Sequence, residues 1–424
     1  MTWAMTLVPI ALLVLGFPIF IVLLATAAVV VLLFSELPLA ALPQIMFGSI
    51  DKFVLLGVPF FIFAGELMGR GGISRRIIDV MLAVFGRARG SLGLTTIGTC
   101  EFFGAMSGSS PATVAAVGRL LYPALREHGY SEKFAVGLVT SSGAIASVIP
   151  PSLVMILYGA SAEQSVAALF LGGVIPGLFI GVVVACYVYL HALRNDIREG
   201  RAFSLHALFD ALRHGAWALG TPIIILGGIY AGIFSPTEAA GVAGVYAIVV
   251  TLSVYKELTW RGVWTVAVDS VVLTAQVMVI VAAAGVFSWL LTVSGIPQAI
   301  VAFIQGISVP TWAVLLFINV FLLVVGCFID PASAILILTP LLVPVVKPLG
   351  VDLVHFGIVM TVNLAIGMFT PPFGLNIFVS QSLFKVPLSS IYPGLVPFIV
   401  LQIGALAAIT YVPEMSLFLT RFLR

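Results

Sequence analysis

Pro150-Pro151 and Pro371-Pro372 each interrupt a long apolar segment that would otherwise cross a bilayer as one helix. Proline lacks the backbone donor, and its ring clashes with the preceding helical turn. Two in succession end a helix, and the carbonyls they release are tolerated in a bilayer only inside protein or beside a water-filled cavity. The two pairs lie 221 residues apart, in segments that align with each other. Broken helices at corresponding places in the two halves of a membrane protein point to a transport site.

Composition makes the bilayer the expected solvent. Of the residues, 61% are hydrophobic and 8% charged, against roughly 25% charged in a soluble domain. Met5–Phe34, Phe134–Ala162 and Val166–Leu190 carry no charge at all, and each exceeds the ~20 residues that span a bilayer as a helix. Ser270–Ile329 is also uncharged and is too long for one crossing. A net charge of +2 argues against nucleic acid as a partner. Cys100, Cys186 and Cys327 are scattered through apolar surroundings; they match no metal spacing and read as small apolar side chains. The N-terminal apolar run is too long for a signal peptide and is expected to form the first membrane helix.

Basic residues orient the chain. Arg70, Arg75, Arg76, Arg87 and Arg89 form one cluster; Arg119, Arg126 and Lys133 a second; Arg194, Arg198 and Arg201 a third; Lys256 and Arg261 a fourth. Positive loops favour the cytoplasm. Residues 91–118 contain one charge, Glu101, yet have cytoplasmic clusters on both flanks, and Gly104, Gly108 and Pro111 mark a turn near the middle. A re-entrant hairpin satisfies this. The broken segment 134–160 then leads outward, and 166–192, 215–234, 238–255 and 263–291 alternate. Residues 311–346 form a second hairpin from the opposite side, broken at Gly326 and Asp330-Pro331. Segment 354–381 is the second broken crossing and 391–412 the last. The expected count is nine crossings plus two hairpins, with outer loops around Ser161–Ser165 and Ser294–Gln298.

The repeat is visible in the letters. At an offset of 221, thirteen residues from Leu120 to Pro176 meet identical partners between Leu341 and Pro397 without a gap, both Pro-Pro pairs among them. The expected architecture is therefore an all-α polytopic membrane protein in one membrane domain (1–424). The first repeat is 1–192, a connecting segment with one extra helix is 193–237, and the second, inverted repeat is 238–424.

Most membrane glycines serve close helix packing. The run Ser107-Gly108-Ser109-Ser110-Pro111-Ala112-Thr113 differs, being small, polar or helix-breaking throughout and placed at a hairpin tip. Unwound carbonyls and hydroxyls there suit a hard cation, and half-helix N-termini suit an anion. Asp330-Pro331-Ala332-Ser333 holds the equivalent place in the second hairpin. Asp330 has two compatible readings, an intramembrane functional carboxylate and an N-cap. Ser141-Ser142-Gly143 precedes the first break; Thr370, Gly374 and Asn376 flank the second. Glu66, Glu101, Glu238 and Asp269 fall near expected membrane ends, where a snorkelling role is the simpler reading. The five histidines fall at edges or in loops, none paired at ligand spacing.

The sequences Gly-Ala-Met-Ser-Gly-Ser-Ser-Pro-Ala-Thr (104–113), Pro-Pro-Ser (150–152), Ser-Pro-Thr-Glu-Ala-Ala (235–240), Phe-Ile-Asp-Pro (328–331) and Thr-Pro-Pro-Phe-Gly-Leu-Asn (370–376) resemble the large membrane subunit of tripartite ATP-independent periplasmic (TRAP) transporters over essentially the whole chain. The resemblance implies an elevator-type ion-transporter fold in the bacterial inner membrane. It also implies a small four-helix membrane subunit, here a separate polypeptide, and a periplasmic substrate-binding protein that delivers a small organic anion, typically a carboxylate. Sodium would be the coupling ion, with no other cofactor. Carried onto this chain, one sodium site would involve Ser107, Ser109, Ser142 and Gly143, and the other Gly326, Asp330, Thr370 and Asn376. Substrate would lie between the tips, near Ser110, Pro150 and Pro371. Competing readings are a stand-alone sodium/anion symporter of the same fold, a channel, and an intramembrane hydrolase built on Ser107. The last needs a base beside its nucleophile, and no histidine falls at mid-membrane.

Overall fold

The computed structural model describes residues 2–34, 40–86, 88–197, 204–306 and 309–423, and within them every regular element is helical. Arg87, Arg198 and Arg201 of the basic clusters lie outside the described residues.

The N-terminal apolar run is two helices, α1 (Thr2–Val14) and α2 (Ile19–Phe34), rather than the single one expected. Gly16 takes φ +81°, and the amides of Gly16 and Phe17 reach back to the carbonyls of Leu13 and Leu12. That is a Schellman stop, which satisfies the last carbonyls of α1. Pro18 then prevents continuation. After α3 (Ala41–Ile50), a tight turn at Phe53–Leu56 leads into α4 (Gly57–Arg70). The amphipathic α5 (Ile73–Phe85) buries Ile73, Ile77, Val80 and Met81 and exposes Arg75 and Asp79.

The first hairpin is α6 (Ser91–Ser107) and α7 (Ser110–Glu127), and the first broken crossing is α8 (Glu132–Ile145) and α9 (Leu153–Ala162). Then come α10 (Val166–Arg194), α11 (Leu205–Tyr230), α12 (Pro236–Val249) and the long α13 (Trp260–Ser294). Gly295, at φ +69°, ends α13 where an outer loop was expected, and a further helix follows at once, α14 (Ile296–Gly306). The second hairpin is α15 (Thr311–Phe328) and α16 (Pro331–Val346), the second broken crossing α17 (Leu353–Gly367) and α18 (Leu375–Phe384), and α19 (Leu388–Tyr411) closes the set. The offset of 221 holds for element boundaries as well as letters. Ser110 and Glu132 begin α7 and α8, and Pro331 and Leu353 begin α16 and α17 at that offset. Both Pro-Pro peptide bonds are cis.

Ion pairs tie the arginine-bearing helix ends into one face. Arg70 meets Asp269 at 2.8 Å, joining the end of α4 to the start of α13, and Arg76 meets Glu257 at 2.6 Å and stacks on the Tyr255 ring. Asp269 is half-exposed in this pair. Glu238 accepts from the Ser235 amide in a reciprocal cap at the start of α12. Large apolar side chains such as Phe209, Trp260, Trp264 and Phe317 stay exposed around the outside, as a lipid-facing surface requires.

Candidate functional site

The two hairpin tips and the two helix breaks meet at one cavity of about 230 Å³. The first tip is built by hydroxyls. Gly108 takes φ +57°, and a Cβ there would stand 2.8 Å from the carbonyl of Pro151, so only glycine lets the tip lie against the break. The Ser107 hydroxyl pairs with Thr113 Oγ1 at 3.2 Å, and Thr113 Oγ1 donates to the Ser109 carbonyl at 2.8 Å. Gly65 of α4 admits the tip from the other side, since its Cβ would meet Ser107 Cα at 2.9 Å.

The second tip is built by Asp330. Its Oδ1 accepts from the Ser333 amide at 3.0 Å and its Oδ2 from the Ser333 hydroxyl at 2.5 Å, capping α16 as the Asp-Pro pattern suggested. Asp330 also lines the cavity. Asn and Asp are equivalent caps, and losing the cap costs about 1 kcal/mol. Asp330→Asn is therefore expected to leave thermal stability within about 0.5 kcal/mol of the parent, and Asp330→Ala to lower it by about 1 kcal/mol. Comparing the two in thermal melts isolates the cap. Comparing the uptake of Asp330→Asn with that of the parent isolates the charge, because asparagine keeps the cap and removes only the charge.

The dipoles decide what the cavity favours. Four helices begin at its wall: α7 at Ser110-Pro111, α16 at Pro331-Ala332, α9 at Leu153-Val154 and α18 at Leu375. Each N-terminus carries roughly half a positive charge and unpaired amides, so the set favours an anion. Asp330 is the one carboxylate on the hairpin side. Across from it α4 contributes Ile62, Gly65 and Glu66, and α13 contributes Leu273, Gln276 and Val277. Glu66 is paired with Arg70 at 3.2 Å.

The expected site residues divide. Ser107, Ser109, Ser110 and Asp330 line the cavity. Ser142 is fully buried on α8, and its hydroxyl has no protein partner. Asn376 does not gather with Gly326, Asp330 and Thr370. Its Nδ2 donates to Ser110 Oγ at 2.7 Å and to the Thr140 carbonyl at 3.3 Å, because the second break turns α18 onto α7 and α8. Asn376 Oδ1, also buried, has no protein partner. Buried oxygens normally find a partner; Ser142 Oγ and Asn376 Oδ1 are among thirteen buried side-chain polar atoms of the described residues without one.

The other expected residues are placed as follows. Pro150 and Pro371 do not line the cavity; they end α8 and α17 and leave the lining to Ser147 and Met368. Gly143 serves packing, with its Cβ position 2.3 Å from Val114 Cγ2. Gly326 lies backbone to backbone against Gly367 and also lines, with Asp330, Met368 and Leu375, a small cavity of about 120 Å³ at the second break. The Thr370 hydroxyl donates to the Ile366 carbonyl of its own helix. Glu66, Gln276 and Ser147 were missed. The available signal for the first two was isolation, a lone acid in α4 and a glutamine within the sixty-residue uncharged run.

Residues 6–415 match the family model described as "Tripartite ATP-independent periplasmic transporter, DctM component". The isethionate TRAP transporter permease protein DctMQ of Oleidesulfovibrio alaskensis is 41% identical over 407 residues, 96% of this chain but only 64% of that relative, so the chain spans less than two thirds of its length. The C4-dicarboxylate TRAP transporter large permease protein DctM of Pseudomonas aeruginosa is 39% identical over 398 residues, covering 94% of this chain and 93% of the relative. Among solved structures, the YdaH transporter of Alcanivorax borkumensis superimposes with a TM-score of 0.63 at 15% identity, covering 95% of this chain and 97% of YdaH. At that identity the likeness is one of fold.

Proposed function

Because the chain belongs to the DctM family of tripartite ATP-independent periplasmic transporters, we propose that it carries a small organic anion across the bacterial inner membrane on a sodium gradient. The observation that carries this reading is the convergence of four helix N-termini on one cavity, which supplies positive potential without a fixed cation. Relatives are named for C4-dicarboxylate and for isethionate, and an anion of that size suits the cavity. Sodium held by the oxygens near Ser107, Ser142 and Asn376 would offset the anion's charge. Each net positive charge moved inward is worth about 2.3 kcal/mol per 100 mV.

In this proposal residues 1–192 and 238–424 are the two inverted repeats. Their hairpins and broken helices slide as one body against α4 and α13, exposing the cavity alternately to either side. A small four-helix subunit flanks the chain, and a periplasmic binding protein delivers the anion. Proteoliposomes test this with labelled succinate as the probe. Accumulation is expected only with an inward sodium gradient, the small subunit and the binding protein together. Equal accumulation under a potassium gradient would remove sodium coupling, and accumulation by the chain alone would favour a stand-alone symporter.

A further inference from the structure

A second polar cavity, of about 250 Å³, is lined from three of the helices that line the first, α9, α13 and α16, together with the end of α3 and Lys52. Its wall on α13 runs from Val281 to Trp289, whereas the first cavity touches α13 at Leu273, Gln276 and Val277. The nearest of these positions, Val277 and Val281, are four residues apart, about 6 Å along the helix, and the farthest, Leu273 and Trp289, are sixteen apart, about 24 Å. The second cavity lies toward Lys52, before α4, while Arg70 ends α4 on the arginine-bearing face. It therefore opens toward the opposite face of the protein.

Its polar lining is Ser49, Lys52, Ser161 and Ser288, with Trp289 at the side. Lys52 is half-buried. Its Nζ donates to the Ala160 carbonyl at 2.7 Å, which engages one of three ammonium donors. Among the described residues no carboxylate pairs with it, and none lines the cavity. Asp51, next to it in sequence, and Glu163, which caps the end of α9 two residues beyond Ser161, are both exposed. Gly285 makes the room, because a Cβ there would overlap Ser49 Oγ at 1.8 Å. An ammonium with free donors among three hydroxyls, enclosed by low-dielectric walls, concentrates anions.

The Ser49 hydroxyl donates to the Ile45 carbonyl at 2.7 Å, which leaves the ammonium and the Ser288 hydroxyl as the donors; we propose that this cavity is a second anion-binding site, taking a small carboxylate or sulfonate on Lys52 and Ser288 before it reaches the cavity between the hairpin tips. Its existence does not depend on sodium coupling or on any sliding motion.

Trp289 supplies the readout. With Trp3, Trp217, Trp260, Trp264 and Trp312 each replaced by Phe, the fluorescence of Trp289 is quenched in neutral detergent by iodide, by caesium or by uncharged acrylamide. At low ionic strength iodide is expected to quench about three-fold more strongly than caesium, and the excess should vanish near 1 M salt, where the Debye length is about 3 Å. Succinate at millimolar concentration should suppress the iodide excess. Lys52→Gln should abolish it with acrylamide quenching unchanged, and Lys52→Arg should retain it. Equal quenching by iodide and caesium in the parent, or an iodide excess that survives Lys52→Gln, would overturn the site. Should Lys52→Gln fail to fold, the iodide-to-caesium ratio of the parent and its response to salt still decide. The measurement needs no uptake, so its failure is separable from failure of the transport assay.

Discussion

Asn376→Leu is expected to lower gradient-driven uptake by about two orders of magnitude while the protein still inserts and purifies. The side chain is fully buried and holds α18 to the first hairpin through Ser110 Oγ at 2.7 Å and to α8 through the Thr140 carbonyl at 3.3 Å. Leucine conserves volume but leaves the Ser110 hydroxyl, itself 1% exposed, without its donor. An unsatisfied buried polar group costs about 1–3 kcal/mol, and each 1.4 kcal/mol is tenfold in an equilibrium. The substitution also deletes Oδ1, a buried oxygen without a hydrogen-bond partner among the described residues. A control lies one turn along the same helix. Ser380 pairs with Thr140 Oγ1 at 2.7 Å but does not line the cavity between the tips, so Ser380→Ala should change uptake less than about three-fold. Initial rates in proteoliposomes read both. If Asn376→Leu stays within three-fold of the parent, the bridge between the halves is not part of the transport machinery.

Gly367→Ala should instead fail at assembly. The Cβ it adds would lie 2.5 Å from Gly326 Cα and carbonyl carbon and 2.7 Å from the carbonyl oxygen. These are backbone atoms, so no rotamer relieves the clash, and α15 must move away from α17. Overpacking a close contact costs typically 1–3 kcal/mol and more where backbone has to shift, so a loss of about 3 kcal/mol or greater is expected. The reciprocal change is milder, because a Cβ on Gly326 would meet Gly367 Cα at 3.1 Å and Leu364 Cα at 3.4 Å. The melting temperature of purified protein should therefore rank parent, then Gly326→Ala, then Gly367→Ala. A reversed order of the two variants would mean that the second hairpin does not seat against α17 as described.

Much of the scaffold was legible because its punctuation is local. A proline pair ends a helix wherever it falls, and the run of hydroxyls from Ser107 to Ser110 marks a hairpin tip without reference to anything distant. The Asp330-Pro331 start worked for the same reason. The split between α1 and α2 was also locally marked, by Gly16 and Pro18, but uniform hydrophobicity across Met5–Phe34 outweighed those two residues. Site assignment went differently. Pro150, Pro371, Gly143 and Gly326 stood out for backbone peculiarities, and in the fold they do backbone work, ending or packing helices.

The chain's own order of residues determined that it lives in a bilayer, that it is built twice over, and where its helices break. Each of these follows from interactions among near neighbours in sequence or from transfer of whole segments out of water. The tertiary structure alone decided that Asn376 belongs with Ser110, that Glu66 and Gln276 face the hairpin tips, and that Lys52 looks into a cavity of its own. Those pairings join residues tens to hundreds of positions apart. They are set by which helix faces pack together, and a linear pattern of apolar letters leaves that open, because in a membrane nearly every face is apolar.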